Sequence, residues 1–249
     1  MLDWLVPVGF IVAFLLILGS LMRQRAPPPR KPSFEAIEPP AFVRAYDFIS
    51  RTPQFGLLRL LFVSRLKRHN PAGCLVDIGC GPGYLLALVG RRIRHLQLMG
   101  IDISKSMIQT AHRNLARKGL GNRITFRQGD IARLPLQSNS IDFVVTTFSL
   151  HHWKNPPQAL REVFRVLKPH GQFLLFDMRR DARPIVHWFL RFISTVVVPR
   201  PLRQVKEPLG SLLASYTARE MPEHLAKAAF RKTSITAGIA WLFVWGQKA

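Results

Sequence analysis

Three aspartates and a glycine-rich segment have the residue types needed to bind a nucleotide-like ligand. Residues 77–83 are Asp-Ile-Gly-Cys-Gly-Pro-Gly, and Asp102 and Asp130 follow further along the chain. A glycine-rich turn after a strand lets the backbone approach such a ligand closely. Pro82 removes one N–H from any phosphate cradle, and a carboxylate at Asp77 would repel a pyrophosphate. The pattern instead favours a ligand that carries an ammonium group, such as the methionine end of S-adenosylmethionine.

The other two aspartates fit the remaining parts of that ligand. Asp102 comes at the end of the second predicted strand, where an acidic side chain accepts hydrogen bonds from ribose hydroxyls. Asp130 follows the third predicted strand and is placed to meet the adenine amino group, with Ile131 beside the ring. We assign Ile103 to the same site. Met107, on the next helix, is either a core residue or part of the cofactor wall.

The elements that must position these residues alternate along the chain from residue 74 onward. Alternating strands and helices predict a parallel sheet covered on both faces, which is a doubly wound α/β domain. The predicted strands span residues 74–78, 97–101, 124–128, 143–147, 173–176, 233–237 and 240–245. The predicted helices span residues 84–92, 104–118 and 157–167, and a capping box at residues 217–220 begins a further one.

Four short motifs in this order resemble those of a known enzyme family. Residues 77–83, 100–102, 129–131 and 165–169 resemble the successive motifs of class I S-adenosylmethionine-dependent methyltransferases. In detail they are similar to the small-molecule branch (type 11) that includes the quinone-biosynthesis C-methyltransferases. The resemblance covers about residues 41–248.

This resemblance implies a fold, a cofactor and residue roles. The implied fold is a Rossmann-like sheet of seven strands, mostly parallel, with one antiparallel strand at the edge. The implied cofactor is S-adenosylmethionine. By matching position, Gly79, Gly81 and Gly83 would approach its methionine portion. Phe148, just past the fourth strand, would border the methyl-transfer site.

Two adjacent histidines follow the fourth predicted strand, at the edge where the ligand is expected. Methyl transfer is an in-line displacement at a sulfonium, so alignment and a water-poor pocket supply most of the catalysis. Many oxygen and carbon acceptors also lose a proton, which calls for a general base. His151 or His152 is a candidate for that base, and the alternative is that the pair only shapes the loop. Trp153 and Tyr46 are candidate aromatic walls of the substrate pocket.

The first 22 residues differ from the rest of the chain. Residues 4–22 are almost wholly apolar and would span about 28 Å as a helix, close to the hydrocarbon thickness of a bilayer. Asp3 precedes this run. Four basic residues follow it, Arg23, Arg25, Arg30 and Lys31. These charges predict a single-pass transmembrane anchor with its N-terminus outside and the catalytic domain in the cytoplasm. A buried core helix is the alternative.

The predicted organisation is therefore an anchor, a linker and one catalytic domain. The anchor is residues 1–22. Residues 23–40 are rich in proline and basic side chains and are interpreted as a stiff spacer. Residues 41–249 form the methyltransferase domain. The helical pattern at residues 41–66 fits either a helix that caps the sheet or one that lies on lipid.

One segment of that domain, residues 178–216, is predicted to cover the substrate pocket. It contains an apolar run, residues 185–198, with basic flanks. This composition fits a helix lying on a membrane surface, and a buried lid is the alternative. We assign Trp188, in the middle of the run, to the substrate pocket.

Charge and cysteine content limit the partners. The formal net charge of +22 attracts polyanions, either nucleic acid or the anionic cytoplasmic leaflet of a membrane. Residues 146–149 are Thr-Thr-Phe-Ser, unlike the acidic or amide residue, prolines and aromatic that amino-methylating nucleic-acid enzymes place there. No RNA-binding module is recognisable, so no specific nucleic-acid partner is expected. Cys74 and Cys80 are about 20 Å apart in an extended chain, which excludes a disulfide and favours a reduced, cytoplasmic protein. No metal-ligand spacing occurs, so no metal is expected.

Three functions stay open at this point. The first is methyl transfer to a small, lipophilic or membrane-borne acceptor such as a quinone precursor or a lipid. The second is methylation of RNA or of a protein, where the basic surface serves the substrate. The third is cofactor binding without catalysis.

Overall fold

The computed structural model describes residues 26–32 and 38–249. The predicted transmembrane anchor, residues 1–22, lies outside the described residues and stays a prediction. Within the two described ranges, no helix is both long enough and apolar enough to cross a bilayer. The predicted catalytic domain, residues 41–249, lies wholly within the described part of the chain.

Seven strands form one sheet with the order β3-β2-β1-β4-β5-β7-β6. The strands are β1 (Cys74–Ile78), β2 (Gln97–Asp102), β3 (Ile124–Gln128), β4 (Ile141–Thr147), β5 (Leu167–Met178), β6 (Lys232–Ala237) and β7 (Trp241–Gln247). Strands β1 to β5 run parallel, and β7 is antiparallel to both β5 and β6. The predicted doubly wound, mostly parallel sheet is confirmed.

The expectation that the antiparallel strand lies at the edge is wrong, because β7 lies between β5 and β6. Burial explains this order. Strand β7 carries Leu242, Phe243 and Val244, which are all buried, whereas β6 is polar and mostly exposed. A polar strand tolerates the edge of a sheet, and an apolar strand is stabilised by a neighbour on each side.

Nine α-helices cover the sheet within the described residues. They are α1 (Pro40–Ser50), α2 (Pro53–Lys67), α3 (Tyr84–Arg92), α4 (Lys105–Ala116), α5 (Pro156–Val166), α6 (Pro184–Phe192), α7 (Arg200–Gln204), α8 (Leu209–Ala214) and α9 (Met221–Ala226). A 3₁₀ turn spans Leu150–His152, and a π-helix spans Ile193–Val197. The predicted capping box precedes α9, where Thr217 and Glu220 exchange side-chain to backbone hydrogen bonds.

The helical pattern at residues 41–66 forms two helices rather than one. Pro53 is the first residue of α2, and the residue before a proline is disfavoured in the helical conformation. Thr52 accordingly has an extended backbone, with φ −64° and ψ 152°. Its hydroxyl donates to the carbonyl of Ile49 over 2.7 Å and so closes the end of α1.

The core consists of two main apolar clusters, and successive residues of β1 alternate between them. Leu75 belongs to one cluster with Phe62 of α2 and Leu86 of α3. Val76 belongs to the other with Leu160 of α5. Successive side chains of a strand point to opposite faces of the sheet, so helices cover both faces, as in a doubly wound domain. This arrangement leaves the carboxyl ends of the strands available for a ligand.

Residues 28–31, which we call the N-terminal strap, are bonded to the domain rather than held away from it as a spacer. The backbone N–H of Lys31 donates to the carbonyl of Leu213 in α8 over 3.0 Å. The carbonyl of Pro28 accepts from Nε of Arg180 over 2.8 Å. A proline-rich segment keeps its carbonyl acceptors, so a groove that offers donors can hold it in an extended form.

Candidate functional site

A cavity of about 270 Å³ lies at the carboxyl ends of β1 to β4. Strand order reverses between β1 and β4, and in open α/β sheets ligands bind at such a switch point. Most of the predicted site residues line the cavity, namely Tyr46, Gly79, Gly81, Asp102, Ile103, Met107, Asp130, Ile131, Phe148, His152 and Trp153. The predicted residues that do not line it are Asp77, Gly83, His151 and Trp188.

Asp102 joins the glycine-rich loop to the start of α4. Its Oδ2 accepts from the N–H of Gly81 over 2.8 Å, and its Oδ1 accepts from the N–H of Ser104 over 2.9 Å. Burial raises the pKa of Asp102, and these two hydrogen bonds offset that rise only in part. Each carboxylate oxygen has a second acceptor position, so Asp102 can still accept hydroxyl donors from a ligand in the cavity.

The glycine-rich loop contains two glycines at the cavity and one elsewhere. Gly79 has φ +72°, and a Cβ there would lie 2.5 Å from Oγ of Ser149. Gly81 lines the cavity opposite Tyr46. A Cβ on Gly83 would instead lie 2.8 Å from Cδ1 of Leu115, on α4. Gly83 therefore does not line the cavity, and it provides space for packing against α4.

Asp77 is the most deeply buried acid of the loop, with only 1% of its surface exposed. Burial, and then the charge of Asp102, raise its pKa well above the usual range. Its Oδ1 has no hydrogen-bond partner among the described residues. A buried carboxylate oxygen without a donor is costly, and an ammonium group of a ligand is the type of donor that would satisfy it.

The far wall of the cavity combines an acid with apolar side chains. Oδ1 of Asp130 accepts from the N–H of Ala132 over 2.8 Å, which holds the turn that presents Ile131. Met107 is 97% buried and also lines the cavity, so it belongs to both the core and the wall. Ile103 completes this side, and the surfaces together suit a flat ring with a polar edge.

Tyr46 closes the cavity from α1. The next residue, Asp47, accepts from the hydroxyl of Tyr84 over 2.9 Å and from Nδ2 of Asn114 over 2.8 Å. Nδ2 of Asn114 also donates to the carbonyl of Pro82. This network ties α1 to the glycine-rich loop and to α4, and burial raises the pKa of Tyr46 so that it stays a neutral phenol.

Phe148 lies where β4 ends, in an uncommon backbone conformation. Its φ is +53°, which is rare for a bulky side chain. The ring makes edge-on contacts with Phe55 and Phe176, at centroid distances of 5.8 and 5.1 Å. Its N–H donates to the carbonyl of Phe176. Strained residues of this kind cluster at functional sites, where the surrounding packing holds them.

The two adjacent histidines have different surroundings. His152 lines the cavity together with Trp153, whose Nε1 donates to Oγ of Ser149 over 3.2 Å. His151 is fully buried, and its Nδ1 lies 2.8 Å from Oδ1 of Asp177. Of the two candidate bases, only His152 faces the space where an acceptor could bind. Asp177 was missed in the sequence, although it is a fourth acid near a strand end.

Trp188, assigned to the substrate pocket from the sequence, does not line the cavity. Its indole is 60% exposed and stacks on Phe192, with ring centroids 6.4 Å apart. Helix α6, which carries both residues, buries none of its side chains. No residue of this helix lines the cavity, and Trp188 lies on the exposed surface of the segment that was expected to cover the substrate.

Three polar residues at the cavity mouth were also missed, Lys154, Asn155 and Gln158. Oδ1 of Asn155 accepts from the N–H of Gln158 over 3.2 Å and caps α5. They lie within six residues of His152, and an Asn before two prolines is a helix-start signal that could have located them.

Comparisons with known proteins agree with this geometry. Residues 76–175 match the family model described as a methyltransferase domain. The chain is 29% identical over 147 residues to an uncharacterised methyltransferase of Bacillus subtilis, covering 59% of this chain and 56% of that protein. It is 24% identical over 201 residues to a ubiquinone/menaquinone biosynthesis C-methyltransferase of Hydrogenovibrio crunogenus. The match covers 78% of this chain and 76% of that protein. It is 25% identical over 158 residues to a demethylmenaquinone methyltransferase of Bacteroides fragilis, covering 62% and 64%.

Solved structures share the fold. A putative S-adenosylmethionine-dependent methyltransferase of Methanococcus maripaludis superposes with a TM-score of 0.66 at 20% identity, over 87% of this chain and 98% of that one. A plantazolicin methyltransferase, solved with S-adenosylhomocysteine, superposes with a TM-score of 0.64 at 16% identity, over 84% of this chain and 91% of that one. The motifs, the strand order and the family match together identify a class I methyltransferase domain in this chain, with S-adenosylmethionine as its cofactor.

Proposed function

We propose that this chain transfers a methyl group from S-adenosylmethionine to a small lipophilic acceptor that it meets at an anionic membrane surface. The observation that carries the proposal is the position of the exposed apolar side chains. Among the described residues, nearly all of the large apolar side chains that are exposed lie on α1, α2, α6 and the π-helix. They are Phe48, Leu57, Leu60, Leu61, Trp188, Phe189, Phe192, Val196 and Val197. We call these four elements the cap.

Helix α1 and the π-helix, two elements of the cap, pack together next to the cavity. Ala45 of α1 forms a buried cluster with Val198 and Leu202, against which Ile193 of the π-helix packs. Helix α1 also contributes Tyr46 to the cavity wall. Exposed apolar side chains concentrated on one part of a protein mark an interaction surface, and aromatic residues beside basic ones suit the headgroup region of a bilayer.

Burial on α6 bears on the two interpretations of residues 185–198. A buried lid would place the apolar residues of this helix inside the protein, yet none of them is buried. Exposed basic residues flank it, including Arg183 and Arg200, and the exposed Arg191 lies in its last turn. Each basic residue near an anionic leaflet contributes about 1 kcal/mol of attraction. This favours the membrane-surface interpretation.

The length of the N-terminal chain supports the same orientation. Six residues lead from Met22, where the predicted anchor ends, to Pro28, which is bonded to Arg180. Six extended residues reach about 20 Å at most. If residues 4–22 cross the bilayer, the bonded strap must lie within that distance of it. The cap adjoins this part of the domain through α7 and α8.

The residues of the cavity, together with the buried Asp77, provide distinct functions for methyl transfer. When bound, S-adenosylmethionine supplies an electrophilic methyl group on a sulfonium. Asp77 fits the ammonium group, Asp102 the ribose hydroxyls and Asp130 the adenine edge. These assignments use the unpartnered oxygen of Asp77 and the acceptor positions left on the other two carboxylates.

The acceptor side of the cavity holds aromatic residues and one histidine. Phe148, Trp153 and Tyr46 exclude water from the reacting groups and align the acceptor. At a carbon acceptor, the new C–C bond forms as the S–C bond breaks, and the acceptor loses a proton. A ring nitrogen of His152 takes that proton. Two relatives named for ubiquinone, menaquinone and demethylmenaquinone support a quinone-type acceptor.

A vesicle assay with the full-length protein tests the proposal. The protein would be reconstituted in vesicles of phosphatidylglycerol and phosphatidylcholine and given methyl-labelled S-adenosylmethionine with a reduced demethylmenaquinone. We expect label in the quinone. Replacing Trp188 and Phe189 together by Ser should lower the rate and weaken binding to anionic vesicles, while cofactor affinity stays unchanged. Ile239→Ser is the matched control, because Ile239 is 64% exposed but lies between β6 and β7, outside the four elements of the cap.

Two other results would contradict the proposal. Label in RNA or protein, with an equal rate in the cap variant, would assign the basic surface to a macromolecular substrate. Cofactor binding without transfer to any acceptor would indicate a binding protein without catalysis.

A further inference from the structure

One side chain of the N-terminal strap contacts the active-site turn. Nη2 of Arg30 donates to the carbonyl of His151 over 3.1 Å. Its Nε donates to the carbonyl of Ala214, at the end of α8, over 2.7 Å. The guanidinium also lies over the ring of Tyr216, 4.2 Å from its centroid. Arg30 therefore joins three parts of the chain that are far apart in sequence.

The strap is held on both sides of Arg30. Lys31 is bonded to Leu213 of α8, and Pro28 is bonded to Arg180. Arg180 is itself buried, and it donates to the carbonyl of Ser215 and to Oε1 of Glu220. The strap is thus bonded to the domain on both sides of Arg30, to Leu213 and to the buried Arg180, which restricts the positions that the Arg30 side chain can take.

The turn that Arg30 contacts presents the cavity residues. His151 is held by Asp177, which accepts from the backbone N–H of His151 and lies next to its ring. The next residues, His152 and Trp153, line the cavity. Carbonyls at the end of a short helix lack partners within the helix, and Arg30 supplies one for His151. The position of His152 thus depends on Asp177 from one side and on Arg30 from the other.

We propose that Arg30 is a positioning residue for methyl transfer, which holds the turn that carries His152 and Trp153 in its working geometry. The inference rests on the proposed function and extends it, because it links the N-terminal segment to the catalytic step. Arg30 contacts none of the residues assigned to the cofactor. Loosening the strap should therefore slow the transfer step without weakening cofactor binding.

Three full-length variants test this inference. Arg30→Gln removes the charge and the forked donors, and kcat should fall by about tenfold to a hundredfold, as small misplacements do. The Kd for S-adenosylmethionine should stay within about twofold. Arg30→Lys keeps one charged donor and should recover part of kcat. Arg117→Gln is the matched control for charge, because Arg117 is exposed at the end of α4.

Hydrogen exchange provides a readout that does not depend on turnover. In Arg30→Gln, the amides of residues 150–153 and 211–216 should exchange faster, while those of residues 79–83 should not change. If the wild-type protein methylates no acceptor, the proposed function fails, and the exchange result alone then decides whether Arg30 holds the turn. Unchanged exchange there overturns the inference. It is also overturned if kcat, cofactor affinity and thermal stability all fall together, since that would indicate a purely structural role.

Discussion

Nδ1 of His151 lies 2.8 Å from Oδ1 of Asp177, and both side chains are fully buried beneath the cavity. Burial alone would lower the pKa of His151. The charge of Asp177, its hydrogen bond and the charge of Glu207 exceed that effect, although Arg30 opposes them, so the pKa is raised above its usual value. The protonated imidazole is thus stabilised in the folded protein by the carboxylates of Asp177, in β5, and Glu207, in the loop between α7 and α8.

The first prediction concerns the pH dependence of stability. Because the folded pKa of His151 is raised, its contribution is fully present below the unfolded value of about 6.5 and is lost as pH rises through the folded value. The difference in thermal midpoint between wild type and His151→Gln should therefore shrink as pH increases from 6. His170→Asn, at an exposed position in β5, is the matched control. A difference that grows with pH would show that His151 is neutral in the folded state.

A second prediction concerns Asp102 and cofactor affinity. Hydrogen bonds to a charged group contribute about 1.5–3 kcal/mol, so Asp102→Ala should weaken S-adenosylmethionine binding by about tenfold to a hundredfold. The variant also removes the acceptor for the N–H of Gly81. Titration calorimetry measures the change. Glu223→Ala, an exposed carboxylate on α9, should bind as wild type does, and unchanged affinity in Asp102→Ala would contradict the site.

The third prediction separates stability from binding at Asp77. Burial and the neighbouring Asp102 disfavour its ionised form, so Asp77→Asn should raise the thermal midpoint of the ligand-free protein near neutral pH. The same change removes the partner for an ammonium group and should weaken cofactor binding. The opposite sign is expected for Asp142→Asn, because Asp142 is paired with Lys168 at 2.8 Å and its pKa is lowered. Stronger cofactor binding in Asp77→Asn would remove Asp77 from the site.

A fourth prediction tests the packing role of Gly83. A Cβ there would overlap with Leu115, and overpacking costs about 1–3 kcal/mol. Gly83→Ala should lower the free energy of unfolding, measured by urea titration. Gly119 also has a positive φ, but a Cβ there would meet nothing within 4 Å. Gly119→Ala therefore measures the backbone strain alone, and equal losses in both variants would mean that packing against α4 contributes nothing.

Local patterns predicted the parallel part of the fold well. The predicted ranges of β1, β3 and α3 agree with the structure at both ends. Buried apolar runs and adjacent glycines define the ends of β1 and α3 locally. The position of β7 between β5 and β6 was not predictable, since it depends on pairing between distant segments. Strand β5 also begins earlier than predicted, at Leu167, with a shift of register before Gln172.

The site shows the same division between local and distant information. Asp102 and Asp130 follow strands, so topology alone brings them to the cavity. His151 and His152 could not be separated by sequence, because adjacent residues of a 3₁₀ turn point in different directions. Trp188 was misassigned for a related reason, since an apolar helix face does not indicate whether it packs inward or outward. The contact of Arg30 with His151 could not be predicted either, because it joins residues that are far apart in sequence and no local pattern indicates it.

The order of the strands also affects how the protein is made. Strand β5 is complete at Met178, but its outer neighbour β7 begins only at Trp241. At about 5–20 residues per second, the ribosome needs several seconds to produce the chain between them. During that interval the apolar edge of β5 has no pairing partner and is open to other nascent chains. Chaperone demand should therefore peak while residues 179–240 are being synthesised.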